Sequence, residues 1–548
     1  MFVKRNRRHS GDAECTSVLL VQGERVTEKR PPGRPRADAK PPASRVVHRT
    51  LANLTQIPEN LIKLIEGYCR GEKVGIIDRE PVLGRGYGPL AATYAIAASL
   101  GIVDLLGASR MGRLALFLVL ARVCHQGSRL SAVAWAENHA VAEILGLGPF
   151  DEEGLYEALD WLAAEQERIE VGLAKRRSAS TLYLYDVTSS YLEGQKNELA
   201  APGYNRDGKR FKKQIVVGLL TDDTGEPISV RVYAGNTSDP KTVGDQIRFV
   251  ADKLGARNVI FVGDRGMLKT SPREGLAAAG FHFLTALTDA QVRPLIKRGA
   301  IQLELFDETP AEVEVDERRM ILRLNPDTRA RHRQRRSDQL AKIRAKVEAR
   351  NAIVEQKMRT KPEASLRFAN AQLAMYHLDR FVGARLEGRR VVLEIDEAKK
   401  SDVELLDGCY VLETDVDRAT MPTDAAQARY MDLQKVERNF RTMKTGLLEI
   451  RPVFVRKASR TRGHALVTML ALKIVRELER RTKPLGLGAE ATLESLQAIR
   501  LVTFADPSLD LWHLPTSYAS AQQQILALLP PLPAPKLSRG PRPSTPTK

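Results

Sequence analysis

The rhythm of apolar and polar positions changes several times along this chain, and each change predicts a different element. From about residue 51 to 180 the rhythm is helical. PLAATYAIAASLGIVDLLG predicts a helix before Gly101 and a short one after it. MGRLALFLVLARVCHQ is almost wholly apolar and predicts a buried helix. SAVAWAENHAVAEILG and LYEALDWLAAEQERIEVGLAKRRS continue the pattern. At 181 the texture switches to alternation. TLYLYDVTSSYLE predicts a strand, and KKQIVVGLLTDDTGEPISVRVYAG predicts two strands joined at Asp-Asp-Thr-Gly. An amphipathic helix (TVGDQIRFVADKLGA), a short apolar strand (NVIFVGDRGM), a helix at SPREGLAAAG and a strand at FHFLTALT follow. Strand, strand, strand, helix, strand, helix, strand implies an α/β layout with a mixed sheet.

Residues 290–400 interrupt that layout. Short strands such as AEVEVDERRMILRLN precede one long charged helix running to about 376, whose start holds RARHRQRR. Sheet texture returns in RRVVLEIDEAKK and DGCYVLETD. One further long helix is then expected over AAQARYMDLQKVERNFRTMK and another, apolar on one side, over GHALVTMLALKIVRELERR. At the other end of the chain, SVLLVQG and RVVHRTLANL predict short strands around a basic, Pro-rich stretch that contains Gly33-Arg34-Pro35. The tail after about 531 is Pro- and Lys/Arg-rich without periodicity and is expected to be disordered.

Composition narrows the function classes. The 548 residues carry a net charge of +18, which favours a polyanionic partner. No apolar run reaches the roughly 18 residues of a membrane span, so none is expected. The 4 cysteines stand alone, without CxxC spacing, so disulfide scaffolds and structural zinc are not expected and a reducing compartment is. GxxxxGK[ST], GxSxG and HExxH are absent, which leaves nucleotide-driven and nucleophile-elbow chemistry without local support. An extended Gly-Arg-Pro core such as that at Arg34 can lie in a narrow minor groove, and a plain basic loop reads the same way.

Carboxylates in apolar strands are the informative exception, because burying an unpaired charge is costly. Asp186 sits in YLYDVTS, and Asp264 ends the apolar run VIFV. Tyr430, Glu437 and Lys444 are spaced by seven, which puts them on one face of the expected helix. Each aspartate alone could cap a turn, and Glu437 could form an ordinary surface pair. Together, carboxylates at strand ends and on a helix suit Mg²⁺, a hard cation that favours oxygen ligands, and a phosphodiester substrate.

The same residues resemble the DDE transposases of insertion sequences related to IS4, most closely the IS1634-like branch. The matching pieces are LYDVTSSYLEG, VIFVGDRGM, DGCYVLETD and the spacing Tyr430, Leu433, Glu437, Lys444, followed by EIRPVFVRKASRTRGHALVTMLAL. The family has Arg where this chain has Leu433, and Arg438 or Arg441 could stand in for it. The resemblance implies an RNase H-like core with a mixed sheet, interrupted by an insertion domain and preceded by a helical region. It implies Asp186, Asp264 and Glu437 as catalytic Mg²⁺ ligands, with Mn²⁺ able to substitute. Tyr430, Arg441 and Lys444 would contact DNA, and Glu193 would be a second acid near Asp186.

The implied reaction is metal-dependent hydrolysis at element ends, then transfer of the freed 3′-hydroxyls into target DNA. The implied partners are double-stranded DNA with terminal inverted repeats, target DNA and a second copy of the chain. The implied location is the bacterial cytoplasm, at the nucleoid. The expected divisions are a basic segment (1–50), a helical region that could bind DNA (51–180), and the first part of the catalytic core (181–290). An insertion with a charged helical arm (291–390), the second part of the core (391–490), a C-terminal region (491–530) and a disordered tail (531–548) complete the chain. Competing readings are a non-catalytic DNA-binding derivative and a nuclease on the same core.

Overall fold

The structure is a computed structural model. It describes all residues except 11–12, 28–43, 72–81, 205, 210, 358, 445–446, 452, 506–509, 517, 535–537 and 540–548. Arg34 and most of the tail lie outside the described residues. The chain divides into two compact units, Met1–Leu83 with Val502–Leu514 and Leu537–Lys548, and Gly84–Leu501 with Pro515–Lys536.

In the first unit, strands Phe2–Ser10, Ala13–Thr27 and Ser44–Asn53 form an antiparallel sheet. The two expected strands are present, and the basic start of the chain adds another. Helix Glu59–Cys69 packs Ile62 against Val18 and Leu54, and Arg5 binds Glu59 at 2.7 Å and Glu66 at 3.0 Å.

The second unit is built on a mixed sheet flanked by helices. Its strands are β1 (Leu182–Tyr191), β2 (Gln214–Asp222), β3 (Pro227–Ala234), β4 (Ile260–Gly263), β5 (His282–Ala286), β6 (Ala311–Val315), β7 (Arg318–Leu324) and β8 (Cys409–Thr414). Among the described residues the order is β6-β7-β8-β5-β4-β1-β2-β3. β1 and β5 each run parallel to β4, and the other pairs are antiparallel. Every residue of β2 is buried, which is why its sequence reads as a nearly unbroken apolar run. The β2–β3 turn depends on Gly225 at φ 80°, where a Cβ would lie 2.6 Å from Cβ of Lys435.

Helices α1 (Arg110–Cys124), α2 (Arg129–Glu137) and α3 (Glu152–Lys175) belong to the helical region, with helices Gly88–Ser99 and Ile102–Leu106 on either side of Gly101, as the sequence implies. Leu114, Phe117 and Leu120 of α1 are fully buried.

Four expectations change. The AEVEVDERRMILRLN strands, expected in the insertion, are β6 and β7 and extend the main sheet. RRVVLEI does not rejoin that sheet. Strand Arg390–Ile395 pairs with Val382–Glu387 in a separate hairpin, because both pack on a small core of Ile343, Val347, Leu373 and Phe381. The charged helix is also two helices, α4 (Pro326–Gln356) and α5 (Pro362–Met375). Pro362 lacks an N–H and disfavours helix at the preceding residue, so it opens the second helix rather than continuing the first.

The helix expected around Glu437 is likewise split, into α6 (Thr423–Met431) and α7 (Leu433–Lys444). Asp432 stands between them and pairs with Arg429 at 3.2 Å and Lys435 at 2.8 Å. Aspartate is favoured at a helix start and disfavoured inside one. Helix α8 (Ala458–Thr482) is the buried one, with Gly463 against the backbone of Leu159, where a Cβ would meet the Leu159 carbonyl oxygen at 2.1 Å. Among the described residues no helix is long and apolar enough to cross a membrane.

Candidate active site

The strand register brings Asp186 and Asp264 side by side. On the parallel pair β1 and β4, Tyr185 lies opposite Gly263, so each aspartate is the next residue beyond that rung. Neighbouring strands are about 4.8 Å apart, which is why the two carboxylates share one patch of the sheet. Asp186 is half-buried and Asp264 is exposed. Val187 N–H donates to Oδ1 of Asp186 at 2.7 Å, and Arg265 N–H donates to Oδ1 of Asp264 at 2.6 Å. Among the described residues no donor is placed on Oδ2 of either.

Helix α7 packs on β1 through Val436 and Phe440 and leaves Glu437 exposed. The Glu437 carboxylate makes no ion pair among the described residues, on a helix that carries Lys435, Arg438, Arg441 and Lys444. It lies near enough to Asp186 to act on it. Burial raises the Asp186 carboxyl from 3.8 to about 7, with the Asp264 and Glu437 charges adding to the rise against the Val187 N–H and Arg206. Three acids distant in sequence therefore share one electrostatic neighbourhood.

Tyr430 reaches the same place from α6. Its hydroxyl donates to Oδ1 of Asp264 at 3.3 Å, and burial together with the Asp264 charge holds the phenol far above its ordinary range. The break at Asp432 means that Tyr430 and Glu437 do not share a helix face, so packing rather than periodicity brings them to the acids.

Lys444 is held elsewhere. It donates to Asp207 at 2.8 Å, Arg451 binds the same carboxylate, and Tyr191 N–H donates to its other oxygen at 3.1 Å. The Asp207 side chain is 1 % exposed, so this cluster ties the end of α7 to the β1–β2 connection. Leu433 is buried at 7 % exposure and belongs to the core. Arg441 lines a cavity of about 410 Å³ with Glu479 and Gly488. Glu193 is paired with Lys212 at 2.5 Å.

The sequence reading missed Arg206 and Arg265. Arg206 donates to Asp239 at 2.7 Å and to the Val187 carbonyl, next to Asp186. Both arginines, with Ser189, Lys269 and Thr288, line a cavity of about 530 Å³ beside the acids. Arg265 could have been found as the residue following Asp264. Arg206 had no such signal, because the β1–β2 connection folds it back onto the strand.

The donor set fits a divalent cation in kind. Carboxylate oxygens are hard ligands, and Mg²⁺ commonly takes one or two of them and completes its shell with water and phosphate. The field of three acids at Asp186 is what a cation would relieve. A ready cage is not formed, since among the described residues no group of at least three His, Cys, Asp or Glu side chains is close enough to hold a metal ion.

Residues 177–378 match the family model described as a transposase DDE domain. The chain carries a DDE-type transposase domain. Asp186 and Asp264 fall inside the matched residues, and Glu437 falls outside them. A comparison with curated proteins finds no match. Among solved structures, a piggyBac transposase synaptic complex with hairpin DNA is 7% identical. The match covers 70% of this chain and 69% of that one, with a TM-score of 0.37. A Mos1 mariner paired-end complex with Mn is 18% identical over 23% of this chain and 42% of that one, with a TM-score of 0.14.

Proposed function

We propose that the protein is an insertion-sequence transposase of the IS4-related group, nearest the IS1634 branch. On this reading it hydrolyses phosphodiester bonds at element ends and joins the 3′-hydroxyls to target DNA. The observation that supports the reading is that Asp186 and Asp264 stand abreast on adjacent strands within the residues that match a transposase DDE domain, with the Glu437 charge, from a helix packed on the sheet, also acting on Asp186. The order of the β1–β5 strands, with two acids on adjacent parallel strands and a third on a packed helix, supports an RNase H-like core.

Asp186, Asp264 and Glu437 would hold Mg²⁺, or Mn²⁺ in its place. When bound, the ion supplies activation of the attacking oxygen and stabilisation of the leaving one. The chain's own residues do the rest. Tyr430 fixes the rotamer of Asp264 through its hydroxyl. Arg206 and Arg265 present guanidinium groups to the scissile phosphate, the task that Leu433 cannot perform. Lys444 and Arg451 share one Asp207, so the cluster keeps a net positive charge toward a DNA strand. Arg441 contacts DNA away from the reacting centre, and Arg34 contacts the duplex from the basic N-terminal region. The substrate is duplex DNA with terminal inverted repeats, paired by two copies of the chain at the nucleoid of a bacterial cytoplasm.

Purified protein, Mg²⁺, labelled DNA carrying the repeats that flank the coding region, and a target plasmid test this reading. Joined products are expected, and Asp264→Ala should abolish them while repeat binding persists. Cleavage without joining would make the protein a nuclease. Binding without cleavage would make it a non-catalytic derivative.

A further inference from the structure

The helical region holds positive charge that the proposed chemistry does not use. Arg122, in the last turn of α1, and Arg129, the first residue of α2, are joined by the short connection His125–Ser128. Both arginines are half-buried, and neither forms an ion pair among the described residues. The Nε of each is buried without a hydrogen-bond partner.

Acids act on them only from beyond ion-pair distance, Glu449 on Arg122 and Glu152 on Arg129. Arg129 donates one N–H to Nδ1 of His464 at 3.3 Å, while His464 Nε2 lies 3.3 Å from the Ile450 carbonyl. The second contact requires a proton on Nε2, so Nδ1 is the acceptor and the ring is neutral, as its burial between the two arginines also demands. Tyr156 offers Arg129 its ring face at 5.2 Å, and Arg460, whose charge is taken up by Glu153 and Asp160, covers that ring at 4.7 Å. Burial and the charge of Arg129 pull Arg122 down to about 10 against the opposing charge of Glu449. A buried like-charge pair with unsatisfied donors is expensive, and proteins tolerate one where a counter-charge arrives from outside.

We propose that Arg122 and Arg129 form a phosphate-binding site separate from the acidic centre. Two planar guanidinium forks present more donors than one carboxylate can accept, and a phosphate group offers several acceptor oxygens and at least one negative charge. The phosphate comes from a DNA backbone or from free anion in solution, and the two sources separate by experiment.

The full-length protein is melted in inorganic phosphate and in chloride at equal ionic strength, as wild type and as Arg122→Met. In chloride the variant should melt higher, because a charge that lacks an ion-pair partner has gone and the aliphatic stem remains. In phosphate the wild type should show a saturable rise in Tm that the variant needs at least about tenfold more phosphate to match. If DNA is the source, the slope of log affinity for a random duplex against log salt should fall by about 1 in the variant.

An unchanged phosphate response together with an unchanged salt slope overturns the proposal. A change of oligomeric state in place of either response also overturns it, because the cluster would then be a protein contact. Should Arg122→Met fail to fold, Arg129→Gln is read by the same two measurements. The phosphate arm involves no DNA, so its outcome is independent of whether the protein is a transposase.

Discussion

Replacing Asp186 by Asn tests whether the acids truly crowd one another. The wild-type carboxyl is raised from 3.8 to about 7 in the folded chain, chiefly by burial and then by the Asp264 and Glu437 charges. A raised acid favours the folded state only while protonated. Stability contributed by Asp186 is therefore complete below about pH 3.8, is lost progressively as pH rises toward 7, and stays lost above it. Roughly three pH units at about 1.4 kcal/mol each set a ceiling of about 4 kcal/mol on that loss. Asp186 is only half-buried, so an observed loss of about 1–3 kcal/mol is expected. Asparagine keeps the shape and carries no charge. Asp186→Asn should melt higher than wild type at pH 8, with a gap that narrows as the pH falls to 5. Added Mg²⁺ should raise the Tm of the wild type at pH 8 and raise that of the variant less. The assay is thermal unfolding of both proteins across pH 5–8, with and without Mg²⁺. A variant less stable than wild type at pH 8, or a gap that ignores pH, would refute the crowding of these three acids.

Glu437→Gln should lower strand cleavage by about a thousandfold or more, while the unfolding free energy stays within about 0.5 kcal/mol of wild type, since the side chain is exposed and makes no ion pair among the described residues. Tyr430→Phe removes the 3.3 Å hydrogen bond to Asp264 and should cost about 1 kcal/mol or less in stability by chemical denaturation, with a partial loss of cleavage. Asp207→Ala should destabilise by about 3–5 kcal/mol because it leaves Lys444 and Arg451 without their shared carboxylate. Lys444→Met should cost less, since Arg451 remains, and calorimetry distinguishes the two. Leu433→Arg restores the residue type usual in the resembling family and should nonetheless destabilise by about 3 kcal/mol or more, because that position is core. A stable Leu433→Arg variant would contradict its burial.

Much of the fold was legible where one physical pattern governs a segment. The unbroken apolar runs of α1 and β2 could only be interior, and Gly101 at φ 75° ends one helix and begins the next as its permissive backbone suggests. Misjudged segments were those where a single residue interrupts a pattern. Pro362 and Asp432 each divide what periodicity alone would join. β6, β7 and the Arg390–Ile395 strand look alike as alternating segments, and only their partners decide which sheet each enters.

The site divides in the same way. Asp186 and Asp264 announced themselves, because a carboxylate inside or at the end of an apolar strand needs a reason. Sequence alone thus determined the α/β layout, the basic charge and the candidate acids, since hydrophobic period and the cost of buried charge act locally. Tertiary structure alone decided that β1 and β4 pair in the register that sets two aspartates abreast. It also decided that α7 turns Leu433 inward and Glu437 outward, that Lys444 is taken by Asp207, and that Arg206 stands beside Asp186. These are contacts between residues far apart in the chain, and no local pattern specifies which strand or loop a side chain will meet.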